Sequence, residues 1–433
     1  MAYRGFLQLG QTEIANSRRT VQYMKNGVRN VTAEVVTDDS WPGTARFLGR
    51  EDDYVLPELD DDCPWFDPRE SASAEFAGVW PMNVEGLETT PLEREIVEGA
   101  VSGGAPGVER TPPRVIQVEA VLAARTPAGL RYGLQWLESA LRADRGEASG
   151  RPRRLVFLDS APAYDPLMSD EELLRLANPE SRLIVDVVQT GELTVEEYFG
   201  VWGYEDRQAT SARVSFELTA GVPWIWRTPT NLVGGIMLAG GVEQSLRFEN
   251  VGEGGALERC DDGDNELLRD PETAPFVEVP RAVTPAAAVG MQPLQSRRST
   301  WRLNAGRLPL WSDTVPSVSV NTGAKAERYI RVQWVRGVVE TQDDVLCNAI
   351  GEAMVQYLPP RATLTLDALT GDARVITSEG QDLDATPVTT GRFGGPWRAP
   401  VLNGTETYTL VVDSLVDVAE DVSVSVDAYV RQG

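Results

Sequence analysis

Histidine is absent from the sequence. That removes the side chain that most often serves as a general base near neutral pH and most often ligates transition metals. A Ser-His-Asp, Cys-His or histidine-zinc mechanism within one chain is therefore excluded. Cysteine is scarce. Cys63, Cys260 and Cys347 lie far apart and form no CxxC pair, so a zinc site lacks its thiolates. The three read as reduced or buried thiols, with one bridge left open. Basic residues are outnumbered, 40 Lys and Arg against 65 Asp and Glu, for a net charge of −25. Such a surface disfavours nucleic acid and anionic membranes. No apolar run approaches the length of a membrane span. The opening Met1-Ala2-Tyr3-Arg4-Gly5 lacks the apolar core of a signal peptide. The expectation is a soluble product made in a cytosol, with no nucleic-acid partner, membrane insertion, metal or cofactor.

What is present is mostly short strands. The 433 residues suffice for two or three domains. The clearest stretch begins at Arg114. Ile116, Val118, Ala120 and Leu122 alternate with Gln117 and Glu119, the period of a half-buried strand. Thr126 then suits a helix N-cap and Pro127 the first helical position. Leu130, Leu134, Leu137 and Leu141 form one apolar stripe at helical spacing. Gly129 and Gly133 weaken that helix, so packing must help hold it. Arg142 and Arg145 would close its last turn and Gly146 would stop it. Arg153 to Asp159 returns as a strand. The helix is expected to pack on the sheet that holds Ile116 and Val118.

Elsewhere the pattern gives strands at Phe6 to Gly10, and at Arg18 to Tyr23 and Val31 to Val36 around an Asn26-Gly27 hairpin turn. Residues 50–70 are acidic and proline-bearing and read as an exposed loop. Asp60, Asp61 and Asp62 lack the spacing of a calcium loop, as does Asp261-Asp262-Gly263-Asp264. Phe76 to Leu87 reads as strand. Ala100 to Pro113 is a Gly- and Pro-rich loop, or an arm. Ser169 to Glu172 has a capping-box pattern and starts a short helix. Leu183 to Val188 is a strand. Tyr198 to Tyr204 and Ala212 to Leu218 pair as a hairpin, and Pro223 to Trp226 closes the first domain. From Ser317 onward, Tyr329 to Val335, Ala362 to Asp367, Thr407 to Val412 and Val422 to Val430 predict an antiparallel sandwich. The expected organisation is a domain over 1–226, a connecting region over 227–316 and a β-sandwich over 317–433.

Several segments together resemble the distal tail proteins, also called minor tail proteins, of long-tailed bacteriophages of actinobacteria. These are RVIQVEAVLAARTPAGLRYGLQWLESALR with its returning strand RRLVFLD, then VSFELTAGVPWIWRTPT, then RRSTWRLNAGRLPLWSDTVPSV, and the run from TLTLDALTGDARV through ETYTLVV to VSVSVDAYVR. The resemblance implies a mainly β protein with one amphipathic helix packed on a sheet. It implies an N-terminal belt-type domain that assembles into a ring, usually a hexamer, joining the tail tube protein to the tip hub protein. It also implies a galectin-like or carbohydrate-module-like C-terminal sandwich. The location would be the virion tail tip, and the role structural.

Two other functions compete. A carbohydrate-binding module that recognises the host surface would stack sugars on aromatic rings, and Trp397 and Tyr408 are the candidates. Core packing is the commoner fate of large aromatics. A glycoside hydrolase would need two close carboxylates in a cleft, and acids this abundant single out no pair.

Overall fold

In a computed structural model the chain is described over residues 2–27, 40–98, 103–142, 153–200, 209–245, 295–303, 306, 308–340, 342–391 and 395–432. It divides into two compact units, Met1–Thr228 with Arg431–Gly433, and Pro229–Val430.

The first unit opens with β1 (Tyr3–Leu9), β2 (Thr12–Asn16), α1 (Ser17–Asn26) and α2 (Thr44–Phe47). β3 (Phe76–Glu85), β4 (Glu93–Glu98), β5 (Gly104–Arg110), β6 (Arg114–Ala124) and α3 (Pro127–Leu141) follow. β7 (Arg154–Leu158), α4 (Asp170–Ala177), β8 (Ser181–Val185), β9 (Val187–Gln189), β10 (Thr194–Gly200), β11 (Ala209–Ala220) and β12 (Ile225–Arg227) complete it. One antiparallel sheet has the order β2-β1-β7-β8-β12, and Ile225 and Trp226 pair onward with Gln432 and Arg431. The other has the order β10-β11-β6-β3, with β9 beside β11. β4 and β5 form a two-stranded sheet of their own.

The period of β6 decides its two faces. Ile116, Val118 and Ala120 are buried while Val115, Gln117 and Glu119 are exposed. Helix α3 starts where Thr126 accepts from the Gly129 N–H at 3.1 Å, with Pro127 in the first turn. Leu130, Leu137 and Leu141 enter the same core as Ile116, Val118 and Phe76, and Leu134 is half-buried. Gly129 and Gly133 let the helix lie close. A Cβ on Gly129 would sit 2.7 Å from the Glu75 carbonyl, and one on Gly133 would sit 2.2 Å from the Phe76 ring.

Several expectations need correction. Arg18 to Tyr23 is helical, not a strand. Asn16 accepts from the Arg19 N–H at 3.0 Å and starts α1, and Asn26-Gly27 ends that helix instead of turning a hairpin. Val21 and Tyr23 are buried two residues apart, which imitates a strand period. Val31 to Val36 lie outside the described residues. The helix after Thr126 ends at Leu141 with no cation in its last turn. Its carbonyls at Ala140 and Leu141 accept from Arg153, at 2.6 and 2.9 Å. Arg145 and Gly146 lie outside the described residues. Leu183 to Val188 is broken at Asp186, whose φ of 58° divides β8 from β9. The acidic stretch 50–70 is not simply exposed, since Tyr54, Asp60, Cys63 and Trp65 are buried.

The second unit is an antiparallel sandwich. It contains β13 (Thr230–Met237), β14 (Val242–Ser245), β15 (Gln295–Leu303), β16 (Thr314–Asn321), β17 (Glu327–Arg336), α5 (Gln342–Asn348) and β18 (Ala349–Leu358). β19 (Thr363–Leu366), β20 (Ala373–Ile376), β21 (Asp382–Asp384), β22 (Thr389–Gly391), β23 (Tyr408–Leu415) and β24 (Ser423–Gln432) follow. In one sheet β13 and β16 flank β24, and β19, β20 and β21 extend from β16. The other has the order β14-β15-β23-β17-β18-β22. Val318, Val320, Leu364, Val424 and Val426 of the first meet Ile330, Val332, Trp334, Leu410 and Val412 of the second in one core. The stretch expected as connecting region thus contributes β13, β14 and β15 to these sheets. Cys347, at the end of α5, is disulfide-bonded, whereas Cys63 is a free buried thiol. Cys260 lies outside the described residues.

Candidate assembly surface

The β4–β5 hairpin is largely exposed along its described residues. Ile96 is 67% exposed, Val108 82% and Leu92 61%. Its ladder pairs Glu93 with Arg110 and Arg94 with Glu109, then breaks between Arg94 and Ile96. Arg94 and Glu109 form an ion pair. A two-stranded hairpin is marginal in water on its own, so apolar residues left on both strands suit contact with another surface.

Its foot is held firmly. The Arg114 side chain is buried and donates from Nε to the Pro223 carbonyl at 2.7 Å and from Nη1 to those of Gly86 and Thr89, at 2.5 and 2.8 Å. Burial pulls its pKa below the usual arginine value, and Glu88 opposes that. Gly86 has φ +90°, and a Cβ there would sit 2.1 Å from the Val115 carbonyl oxygen. Arginine supplies several donors in one fixed fork. Here that fork joins the chain entering the arm to the strand that leaves it.

Elsewhere in the first unit, the acidic loop is tied down by a buried ionic cluster. Arg19 bonds Glu13 at 2.8 Å and also pairs with Asp60, which Tyr23 hydroxyl donates to as well. Arg50 reaches Asp60 at 2.6 Å and Asp62 at 2.9 Å. Both guanidinium groups lie over the Tyr54 ring, at 4.4 and 4.9 Å from its centroid. Burial opposes the Arg19 charge, but Glu13, Tyr23, Tyr54 and Asp60 outweigh it and raise the pKa. Burial also pushes the Cys63 thiol up to about 11. Asp60 of this loop serves cohesion, buried between two arginines in pairs that desolvation would otherwise forbid.

Two concavities are lined by described residues of this unit. One, about 310 Å³, lies on the sheet of β10, β11, β6 and β3, where Glu85, Glu119, Glu192, Glu196 and Glu217 surround Gln117 and Ser215. Asn83 donates to Glu85 at 2.9 Å and Thr190 to Glu217 at 2.8 Å. Its chemistry repels polyanions. The other, about 540 Å³, is walled by Tyr3, Trp41 and Trp80 and edged by Arg4, Ser17, Ser40 and Ser160. Among the described residues no cluster of His, Cys, Asp or Glu could hold a metal ion. No helix of the described residues is long and apolar enough to cross a membrane.

Trp397 and Tyr408 are brought into the second core, at 4% and 2% exposure. The Tyr408 hydroxyl donates to Glu406 at 3.0 Å and accepts from the Asn403 N–H at 2.8 Å. A ring enclosed in this way offers no free face to a sugar. Sequence reasoning passed over Leu92, Ile96 and Val108, because charges flank them on both strands and neither strand shows an apolar face.

No protein-family model matches this sequence, and no curated protein matches it. Among solved structures, it is similar to the SPP1 Dit (gp 19.1) protein, described as a paradigm of hub adsorption apparatus in Gram-positive infecting phages. Identity is 12% over 79% of this chain and 94% of that one, with a TM-score of 0.35. It is also similar to a chain of the phage P2 baseplate in its activated conformation with Ca, at 7% identity over 82% and 90%, TM-score 0.37. A third is the CBM2 module of Lactobacillus casei BL23 phage J-1 evolved Dit, at 11% identity over 32% and 68%, TM-score 0.14. At these scores the likeness carries no argument about what this chain does.

Proposed function

We propose that this protein is a structural component of a bacteriophage tail tip, without enzymatic activity. Copies associate through the first unit into a closed ring, a hexamer by the resemblance, between the tail tube protein and the tip hub protein. The observation that carries the reading is the β4–β5 arm. It is a hairpin outside both sheets, with Leu92, Ile96 and Val108 exposed and its foot fixed by Arg114. The sequence segments that resemble distal tail proteins support the same reading and supply its location in the virion.

Association must overcome a charge of −25 per chain, which favours separate subunits. Apolar contact therefore dominates, and added salt should strengthen assembly by screening that repulsion. If the contact is head-to-tail and its rotation closes, cyclic symmetry follows. Negative-stain images of the purified full chain test this. Closed rings are expected, more abundant at moderate than at low salt. Single subunits under both conditions would refute self-assembly.

A further inference from the structure

We propose that Asn403 is a site of self-modification, at which the Gly404 backbone nitrogen attacks the side chain and converts the asparagine to aspartate and isoaspartate. The proposal does not rest on the ring reading. The sequence contains two Asn-Gly pairs, Asn26-Gly27 and Asn403-Gly404. Glycine has no Cβ to hinder the approach of its nitrogen to the preceding side chain, so the sequence treats the two pairs alike. The structure separates them.

Asn403 is exposed, and its side chain folds back over the turn. Its Oδ1 accepts from the Thr405 N–H at 2.9 Å and from the Thr405 hydroxyl at 3.0 Å. A bond to the amide two residues on is an Asx turn, and it lays the carboxamide over the intervening Gly404 nitrogen. Two donors thus meet the oxygen on which negative charge develops when Cγ is attacked. The Gly404 N–H has no hydrogen-bond partner among the described residues. At Asn26 the arrangement is reversed. Its side-chain nitrogen donates to the Tyr54 and Val55 carbonyls at 3.4 and 3.2 Å, and the Gly27 N–H donates to the Tyr23 carbonyl at 3.0 Å. There the leaving group is held and the nucleophile is engaged. Gly404 cannot be exchanged without moving its loop, since a Cβ there would sit 2.2 Å from the Pro309 carbonyl oxygen.

In the reaction the Gly404 nitrogen loses its proton to solvent and bonds to Cγ. The Cγ–Nδ2 bond breaks, and Nδ2 takes up a proton and leaves as ammonia. Water then opens the succinimide at either carbonyl. Each product places a negative charge beside Glu406, whose N–H donates to the Asn403 carbonyl at 3.2 Å. Isoaspartate also adds a methylene to the backbone next to Leu402, which exchanges hydrogen bonds with Thr314 at 3.1 and 2.8 Å.

The test incubates the full chain at pH 8 in oxygen-18 water, native or in urea, and maps its peptides. In the native protein, heavy oxygen should enter Asn403 at least about tenfold faster than Asn26, and in urea the two rates should draw together. Thr405→Val removes one donor from Oδ1. It should slow native conversion by about tenfold, less than the loss at a buried oxyanion hole, because this turn is exposed. Asn403→Gln, whose longer side chain closes the ring far more slowly, should abolish the acidic form that isoelectric focusing resolves. Native conversion no faster at Asn403 than at Asn26, or unchanged in Thr405→Val, would overturn the proposal.

Discussion

Replacing Gly129 or Gly133 by alanine sets two effects of known sign against each other. Both lie inside α3, where alanine in place of glycine favours the helix by about 0.5–1 kcal/mol. Packing opposes this. At Gly129 the new Cβ would lie 2.7 Å from the Glu75 carbonyl carbon and oxygen. That is backbone, and it is held by the Arg125 N–H, which donates to Glu75 at 2.7 Å. At Gly133 the Cβ would lie 2.2 Å from the Phe76 ring. Phe76 is wholly buried, with the Trp65 and Trp136 ring centroids 5.1 and 6.0 Å away, so it has nowhere to turn. Overpacking of this kind costs about 1–3 kcal/mol. Each substitution should therefore destabilise by about 1–2 kcal/mol net of the helix gain. The two sites contact adjacent residues, so their effects should not add. Hydrogen exchange across residues 127–141 reads the local stability directly. Gln135→Gly, at an exposed position of the same helix, reports propensity alone, with a loss of about 1 kcal/mol. Slower exchange in Gly129→Ala would show that α3 does not lie against Glu75, and the packing account would fail.

Other outcomes follow from the buried cluster and the thiols. Asp60→Ala leaves Arg19 and Arg50 without their shared carboxylate and should cost about 3–5 kcal/mol, the range for breaking a buried pair. A loss under about half a kcal/mol in urea denaturation would mean that the cluster is solvated. Cys63, buried and with its thiol pushed up to about 11, should resist iodoacetamide at pH 8 in the folded protein and react once urea is added. Rapid native alkylation would contradict its placement. The described residues contain no metal-binding cluster, so EDTA should leave the melting temperature unchanged, and a clear drop would reveal a site elsewhere.

What the sequence disclosed, and what it hid, have physical causes. β6, α3 and β11 were legible because one face of each is apolar and the other polar, so the period names the element. Thr126 and Pro127 added a start signal that the Thr126–Gly129 bond bears out. Helix α1 was illegible because Arg19 and Thr20 are buried along with Val21 and Tyr23. Partners from residues 50–79 satisfy those polar groups, with Asp60 accepting from Arg19 and the Val79 carbonyl from Thr20. Neighbours distant in sequence leave no local trace. The same cause misplaced the acidic loop, where Asp60 is internal only because Arg19 and Arg50 neutralise it. Trp397 and Tyr408 could be named from residue type, but their exposure depends on strands far along the chain. The arm was half legible. Glycine and proline marked a departure from the sheets, while alternating charge concealed that Glu93–Glu98 and Gly104–Arg110 pair.

The central claim is that copies of this chain associate through the β4–β5 arm. Native mass spectrometry of two proteins tests it most directly, the full chain and a variant in which residues 93–110 are replaced by a short Gly-Ser turn. Gly86 and Arg114 stay in place at the foot, so the sheets should fold as before, and circular dichroism verifies this. The full chain should appear as a single closed oligomer, and the armless variant as a monomer of unchanged secondary structure. An armless variant that assembles as well as the full chain would contradict the account.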